Sequence, residues 1–236
     1  MNHFFEEIQG WFCFEEPYRQ AVREAVDGSV FVELGCWKGR SACFLAVEAV
    51  NSGKSIKLNF VDHWGGSNEK AHKTDPELQN VFEVFKSNIG RVPDADVTIH
   101  RSDSSTAAEA FADGSVSFVW IDAGHGYDEV LADITAWWPK VAPGGVIGGD
   151  DLPMVGVEQA VKEYFPDYEV GTHRGWKWWR LKELPSHRYR VCISVRTRRS
   201  TIFWQRVTRA VNSRSCRNAC RRGSRRRSGP PARSRS

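Results

Sequence analysis

Phe118-Val-Trp-Ile-Asp122-Ala-Gly-His125-Gly-Tyr127 and, one helix length further on, Pro143-Gly-Gly-Val-Ile-Gly-Gly-Asp150-Asp151 decide how this chain reads. Each is a short apolar run that ends in carboxylate, which is the pattern of a strand buried on both faces of a parallel sheet. Ligands of open α/β sheets bind outside the carboxyl ends of such strands. If the two strands are neighbours, Asp122, His125, Asp150 and Asp151 meet in one crevice.

Working outward, apolar runs at Val30–Leu34, Ile56–Val61, Val97–His100, Val116–Ile121 and Val146–Gly148 alternate with amphipathic segments at Ser41–Val50, Pro76–Ile89, Ser104–Phe111, Asp128–Trp138 and Val155–Tyr164. This alternation predicts an α/β fold with helices on both faces of a mostly parallel sheet. Tyr168-Glu-Val-Gly-Thr and Trp176-Lys-Trp-Trp-Arg-Leu, joined through His173-Arg-Gly175, predict an antiparallel hairpin after the fifth strand. Residues 176 and 178 would share one face of that last strand and 179 the other. Three segments follow: an N-terminal helical or lid segment (1–27), the α/β domain (28–183) and an Arg-rich tail (184–236).

The net charge of +4 conceals a division. Residues 1–183 hold all 29 acids against 17 Lys and Arg, whereas residues 184–236 hold 16 Arg and neither Lys nor acid. Within the tail, Tyr189–Val195 alternates like a strand and Thr201–Val211 suits a basic helix, while 212–236 has no periodicity and reads as disordered. Two readings of it stay open: a salt-sensitive phosphate-binding arm for nucleic acid, or an unselected, out-of-frame extension. No run approaches the length of a membrane span, and the start, Met-Asn-His-Phe-Phe-Glu-Glu, has acids where a signal peptide is basic. A cytoplasmic location is expected. The six cysteines (13, 36, 43, 192, 216, 220) lack zinc-like spacing and read as reduced thiols.

After the first strand comes Glu33-Leu-Gly35-Cys-Trp-Lys-Gly39-Arg-Ser41 and a helix start. The spacing is G-x-x-x-G and lacks the G-x-G-x-x-G of a dinucleotide site, which argues against a nucleotide-cofactor oxidoreductase. Asp62, ending the second strand, can accept ribose hydroxyls. These residues suit a nucleoside without phosphates that carries an amino acid.

In this respect the sequence resembles the class I S-adenosylmethionine (SAM)-dependent methyltransferases, with the resemblance covering about residues 10–182. It implies that Glu33, Gly35, Gly39 and Ser41 surround the methionine part of the cofactor, that Asp62 holds its ribose and that Asp103-Ser104 border its adenine. Trp64, two residues after Asp62, is expected at the cofactor mouth, and Asp122 serves both cofactor and metal. The segment Ile121–Val130, then Asp133, then Trp137-Trp-Pro-Lys-Val-Ala-Pro-Gly-Gly-Val is similar to the small bacterial enzymes grouped with the catechol-type and macrocin- or mycinamicin-type metal-dependent O-methyltransferases. The implied ligands of Mg²⁺ are Asp122, Asp150 and Asp151, and the implied base is His125. Helix capping is the alternative for Asp150-Asp151, a backbone-bonded loop histidine the alternative for His125, and Asp133 is read as a structural residue on its helix.

The function this implies is SAM-dependent O-methylation of a small-molecule hydroxyl, on a sugar or phenol, assisted by Mg²⁺ and His125. A non-catalytic scaffold binding nucleic acid through its tail is the rival, and homo-oligomerisation stays open. Residues 1–16 and the insert Ser67–Asp75 are the expected lid.

Overall fold

The computed structural model describes residues 1–67, 70–171 and 177–184. A 3₁₀ turn at Phe5–Glu7 precedes α1 (Glu15–Glu24), and then β1 (Ser29–Leu34), α2 (Arg40–Asn51) and β2 (Ile56–Asp62) follow. A short α3 (Lys70–Lys73), a 3₁₀ turn at Leu78–Asn80 and α4 (Val81–Ile89) lead to β3 (Asp96–Arg101). Next come α5 (Ser104–Ala107), a 3₁₀ turn at Ala108–Ala110, β4 (Val116–Ile121), α6 (Tyr127–Trp137), β5 (Val141–Gly149), α7 (Val155–Tyr164), β6 (Glu169–Val170) and β7 (Trp178–Leu181).

The seven strands form one sheet in the order β3-β2-β1-β4-β5-β7-β6, with β1 to β5 parallel and β7 antiparallel to both neighbours. The order reverses between β1 and β4. That is the switch point at which α/β sheets open a crevice for ligands. The period-2 alternation of the strands sorts the core into two layers. Phe31, Phe60, Phe118 and Trp179 pack with α1, α2 and α4, while Val32, Val119, Ile147 and Trp178 pack with α6 and α7. Trp178 and Trp179 thus face opposite layers, as the spacing predicts.

Three elements differ from the sequence expectation. The segment Pro76–Ile89 is not one helix, because its first turn is occupied elsewhere: Asp75 and Glu77 both clamp the Lys38 ammonium, at 2.9 and 2.7 Å, and the Asp75 side chain accepts the Glu77 N–H. Ser104–Phe111 likewise tightens into a 3₁₀ turn after Ala107. β5 starts five residues early, at Val141, with a register shift against β4 that accommodates Pro143 and Gly144. The residues of the expected turn, 173–175, lie outside the described residues, as do Trp176, Cys192, Cys216, Cys220 and the whole tail from 185, with its expected strand, helix and disordered stretch. Cys13, Cys36 and Cys43 are free thiols. No described helix is long and apolar enough to cross a membrane. The N-terminal segment supplies core as well as cover, since Phe14 and Tyr18 are buried under the sheet.

Two features of β1 fix the switch point. Gly35 sits at φ +83, and a Cβ there would lie 2.0 Å from the Asp122 carbonyl oxygen. The glycine is therefore required by the backbone of the neighbouring strand end. Glu33 is 0% exposed and accepts the Ser41 hydroxyl at 2.5 Å, tying β1 to the first turn of α2. Burial lifts its carboxyl to about 8, against the lowering effect of its bonds to Ser41 and Tyr18.

Gly35→Ala is expected to destabilise the chain by about 2 kcal/mol or more, from the left-handed backbone and the backbone collision together, read as a lower urea midpoint. For Glu33, the folded pKa lies above the unfolded value of about 4.3, so the folded state binds the extra proton and stability falls as pH rises from there to about 8. Glu33→Gln removes that titration. Urea midpoints of the variant should fall less than those of the parent across this window, and parallel curves would contradict the assignment.

Candidate functional site

A cleft of about 1110 Å³ opens over the carboxyl ends of β1, β2, β3, β4 and β5. Its floor is the loop after β1, its far end the Asp103–Ser105 turn, and its near end the tips of β4 and β5. The N-terminal strap Gln9–Phe14 forms one wall, pinned by the Arg40 guanidinium on the Ile8 and Gly10 carbonyls, both at 3.2 Å.

The loop after β1 is held by Asp62. One carboxylate oxygen accepts the N–H groups of Cys36 and Trp37 at 2.9 and 3.0 Å, and the other accepts Trp64 N–H at 2.6 Å. Trp37 and Trp64 adopt left-handed backbone, φ 46 and 54, in the two turns so joined. Gly35, Ser41 and Asp62 line the cleft. Glu33 and Gly39 lie beneath it: Glu33 is sealed in the core, and a Cβ on Gly39 would lie 3.0 Å from the Phe85 ring. Trp64 is also displaced from its expected place. It is 3% exposed, its ring packs against Phe82 and Phe85, and its indole N–H donates to the Trp37 carbonyl at 2.9 Å. An aromatic ring that finds two aromatic partners below the loop gains more by burial than by remaining at the mouth.

At the far end, Asp103 and Ser104 line the cleft together with Asp133. The Ser104 hydroxyl donates to the Asp133 carboxylate, and Trp137 donates its indole N–H to the Ser104 carbonyl at 2.9 Å. Asp133 is thus more than a local helix residue, because it ties α6 to the turn after β3. Burial lifts its carboxyl to about 7, with the Ser104 bond opposing.

At the near end, β4 and β5 are adjacent, with Ile121 opposite Gly149, so Asp122, Asp150 and Asp151 do converge. Burial first, then the charges of Asp150 and Asp151, push the Asp122 carboxyl well up, while His125 opposes. His125 Nε2 lies 3.0 Å from Asp151 Oδ2. The loop carrying His125 is pressed from behind by α7, since a Cβ on Gly156 would lie 2.4 Å from the His125 carbonyl. Neither Asp150 nor Asp151 caps α7, whose N-cap is Met154. Asp151 instead turns the chain at φ 56 and its carbonyl accepts Met154 N–H.

The expected Mg²⁺ set is rearranged. Ligand atoms of Asp122, His125 and Asp151 lie within 4.8 Å of one another, whereas Asp150 is engaged by Lys177 Nζ at 3.4 Å and by the Cys13 thiol at 3.3 Å. A grouping with one imidazole and two carboxylates, the imidazole already paired to one of them, suits Mg²⁺ less well than the expected set of three carboxylates. Sequence reasoning overlooked Cys13 and Lys177. The available signal was a lysine within a tryptophan-rich strand, since a charge in a buried run demands a partner. Trp37 and His72, stacked at 4.0 Å between the strap and the insert, were overlooked too.

Comparison with known proteins follows the same lines. An uncharacterized protein of Sinorhizobium fredii, y4gI, is 26% identical over 203 residues, which is 86% of this chain and 20% of that one. The chain therefore spans about a fifth of the length of this curated relative. Among solved structures, the O-methyltransferase NovP superposes with a TM-score of 0.56 at 18% identity, covering 72% of this chain and 79% of that one. The calicheamicin methyltransferase CalS11 gives 0.51 at 16%, covering 71% and 76%, and a SAM-dependent O-methyltransferase from Thermotoga maritima gives 0.51 at 13%, covering 76% and 69%. These likenesses establish the Rossmann-like class I methyltransferase fold. Residues 32–152, which carry the loop after β1, Asp62, Asp103 and both strand tips, match the family model of the methyltransferase domain, and the chain belongs to that family.

Proposed function

We propose that the chain is a SAM-dependent methyltransferase acting on the hydroxyl of a small molecule, of sugar or phenol type. The observation that carries the cofactor half is the position of Asp62. Its carboxylate occupies the Cys36 and Trp37 amides, the groups with which a glycine loop would otherwise cradle a pyrophosphate. A dinucleotide would meet an acid where it needs donors. A nucleoside sulfonium meets carboxylates that accept hydroxyl and amino protons, Asp62 through its remaining lone pair and Asp103 at the far end. The cleft volume exceeds the roughly 300–1,000 Å³ of a typical single-ligand site, which leaves room for an acceptor beside the cofactor.

When bound, SAM supplies an electrophilic methyl group on its sulfonium sulfur. His125 is the group that takes the acceptor's hydroxyl proton. Asp151, 3.0 Å from Nε2, fixes the ring and stabilises the imidazolium that forms. Gly156 and α7 hold the backbone of that loop in place, so the base is positioned before any ligand arrives. Asp122, at the end of β4 between the two halves of the cleft, has its carboxyl pushed up by burial and by the neighbouring charges of Asp150 and Asp151, and it faces both ligand positions. The acidic lining disfavours an anionic acceptor, and Trp11, Phe12 and Trp37 on the walls suit the faces of a sugar or phenol ring. No step here is routed through Mg²⁺, because Asp150, one of its three expected ligands, is paired with Lys177. The nucleic-acid reading depends on the tail, which lies outside the described residues.

The experiment is a pair of measurements on the full chain. SAM should raise the melting temperature and NAD should not; the reverse result would overturn the cofactor assignment. Transfer of labelled methyl from SAM is then screened over neutral sugars and phenols. With a substrate in hand, His125→Ala should lower kcat by about 10²–10⁴-fold and Asp151→Asn by less, both at unchanged SAM affinity. Full turnover by His125→Ala would remove its role as base.

A further inference from the structure

The crevice at the tips of β4 and β5 holds a cation of the protein's own. Antiparallel pairing sets Trp178 opposite Gly149, and one step further along the same register Lys177 stands beside Asp150. Its side chain is 2% exposed. The ammonium lies 3.4 Å from Asp150 Oδ1 and donates to the Cys13 sulfur at 3.0 Å, while the Cys13 thiol donates to Asp150 Oδ2 at 3.3 Å. Oδ2 of Asp150 thus accepts a hydrogen bond, and Oδ1, which has none, faces a buried charge. Meanwhile Asp122, His125 and Asp151 form a separate grouping.

We propose that Lys177 is the resident cation of this crevice, and that it excludes a divalent ion by holding Asp150 out of ligation. Three carboxylates at neighbouring strand ends repel one another, and the fold has two ways to relieve that repulsion: import an ion or supply an ammonium. A divalent ion on Asp150 would face the Lys177 charge across a single carboxylate, in surroundings from which water is largely removed. The backbone of Lys177 continues the register of β7 against β5, and its buried side chain is held between Asp150 and Cys13, unlike that of a surface lysine. Cys13 completes the arrangement by joining this pair to the strap that walls the cleft. The charge assignment is independent of the methyl-transfer reading, and metal binding tests it without turnover.

The probe is Mn²⁺ alone, titrated into the full chain and followed by electron paramagnetic resonance of the free ion. The wild type should show no saturable site up to about 1 mM. Lys177→Met keeps the length and apolar stem of the side chain and frees Asp150 to join Asp122 and Asp151, so it should bind one Mn²⁺ at least about tenfold more tightly. Adding Asp150→Asn to it should abolish that gain, and Lys177→Arg, which keeps the charge, should show none. Lys177→Gln serves in place of Lys177→Met if the latter melts below the assay temperature. The proposal is overturned if the wild type saturates with one Mn²⁺ below about 100 μM at a site lost in Asp122→Asn, or if a folded Lys177→Met or Lys177→Gln gains nothing. The wild-type titration decides by itself should neither neutral variant fold.

Discussion

The cleft exists because two stretches of backbone come closer than side chains would allow. At the switch point the ladder continues past the strand ends, Gly35 N–H reaching the Val61 carbonyl at 2.9 Å and Asp122 N–H the Leu34 carbonyl at 2.8 Å. The missing Cβ of Gly35 is what permits the Asp122 carbonyl to lie against it. This contact fixes the floor of the cleft relative to Asp122 at its near end. Asp62 then holds the loop from the β2 side, and α7 holds the His125 loop from below. Three constraints from three directions leave the carboxylates and His125 at the cleft little freedom, so they are preorganised before any ligand arrives.

Much of this was legible in the amino-acid sequence, for identifiable reasons. Strands buried on both faces are predominantly apolar, so β1, β2 and β4 appear as apolar runs broken only by single polar residues such as Glu33, Asn59 and Ser117, and the carboxylates that follow them stand out. The convergence of Asp122, His125, Asp150 and Asp151 follows once β4 and β5 are neighbours. What could not be read is whatever depends on a partner distant in the chain. Trp64 leaves the cleft because Phe82 and Phe85 await it. Glu33 is a core residue because Ser41 and Tyr18 close over it. Asp150 turns to Lys177, 27 positions later, and to Cys13, far earlier. The spacing of Asp150-Asp151 looks the same whether the pair serves a metal, a helix or a lysine, and only register across β5 and β7 tells which.

The electrostatics follow from the same geometry. Acids dominate the cleft, and each is managed differently: Asp62 by backbone amides, Asp133 by a serine hydroxyl and a displaced titration, Asp150 by an ammonium, Asp151 by an imidazole. Asp122 is pushed up by burial and by the charges of Asp150 and Asp151, with His125 opposing. Such pairs of acids driven apart by their surroundings are a usual mark of a working site.

The stacked rings of Trp37 and His72, with Trp11 edge-on at 5.6 Å, join the strap to the insert after β2. Widening the opening at that point separates those rings, whichever segment moves. Each stacked or edge-on aromatic pair is worth about 0.5–1.5 kcal/mol beyond its buried area. A ligand entering there must return that energy through its own contacts, so a flat ring able to slip between or replace the partners is admitted at lower cost than a saturated chain of equal size. Selection among ligands thus begins at the threshold of the cleft, ahead of any contact with the carboxylates and His125 at its near end.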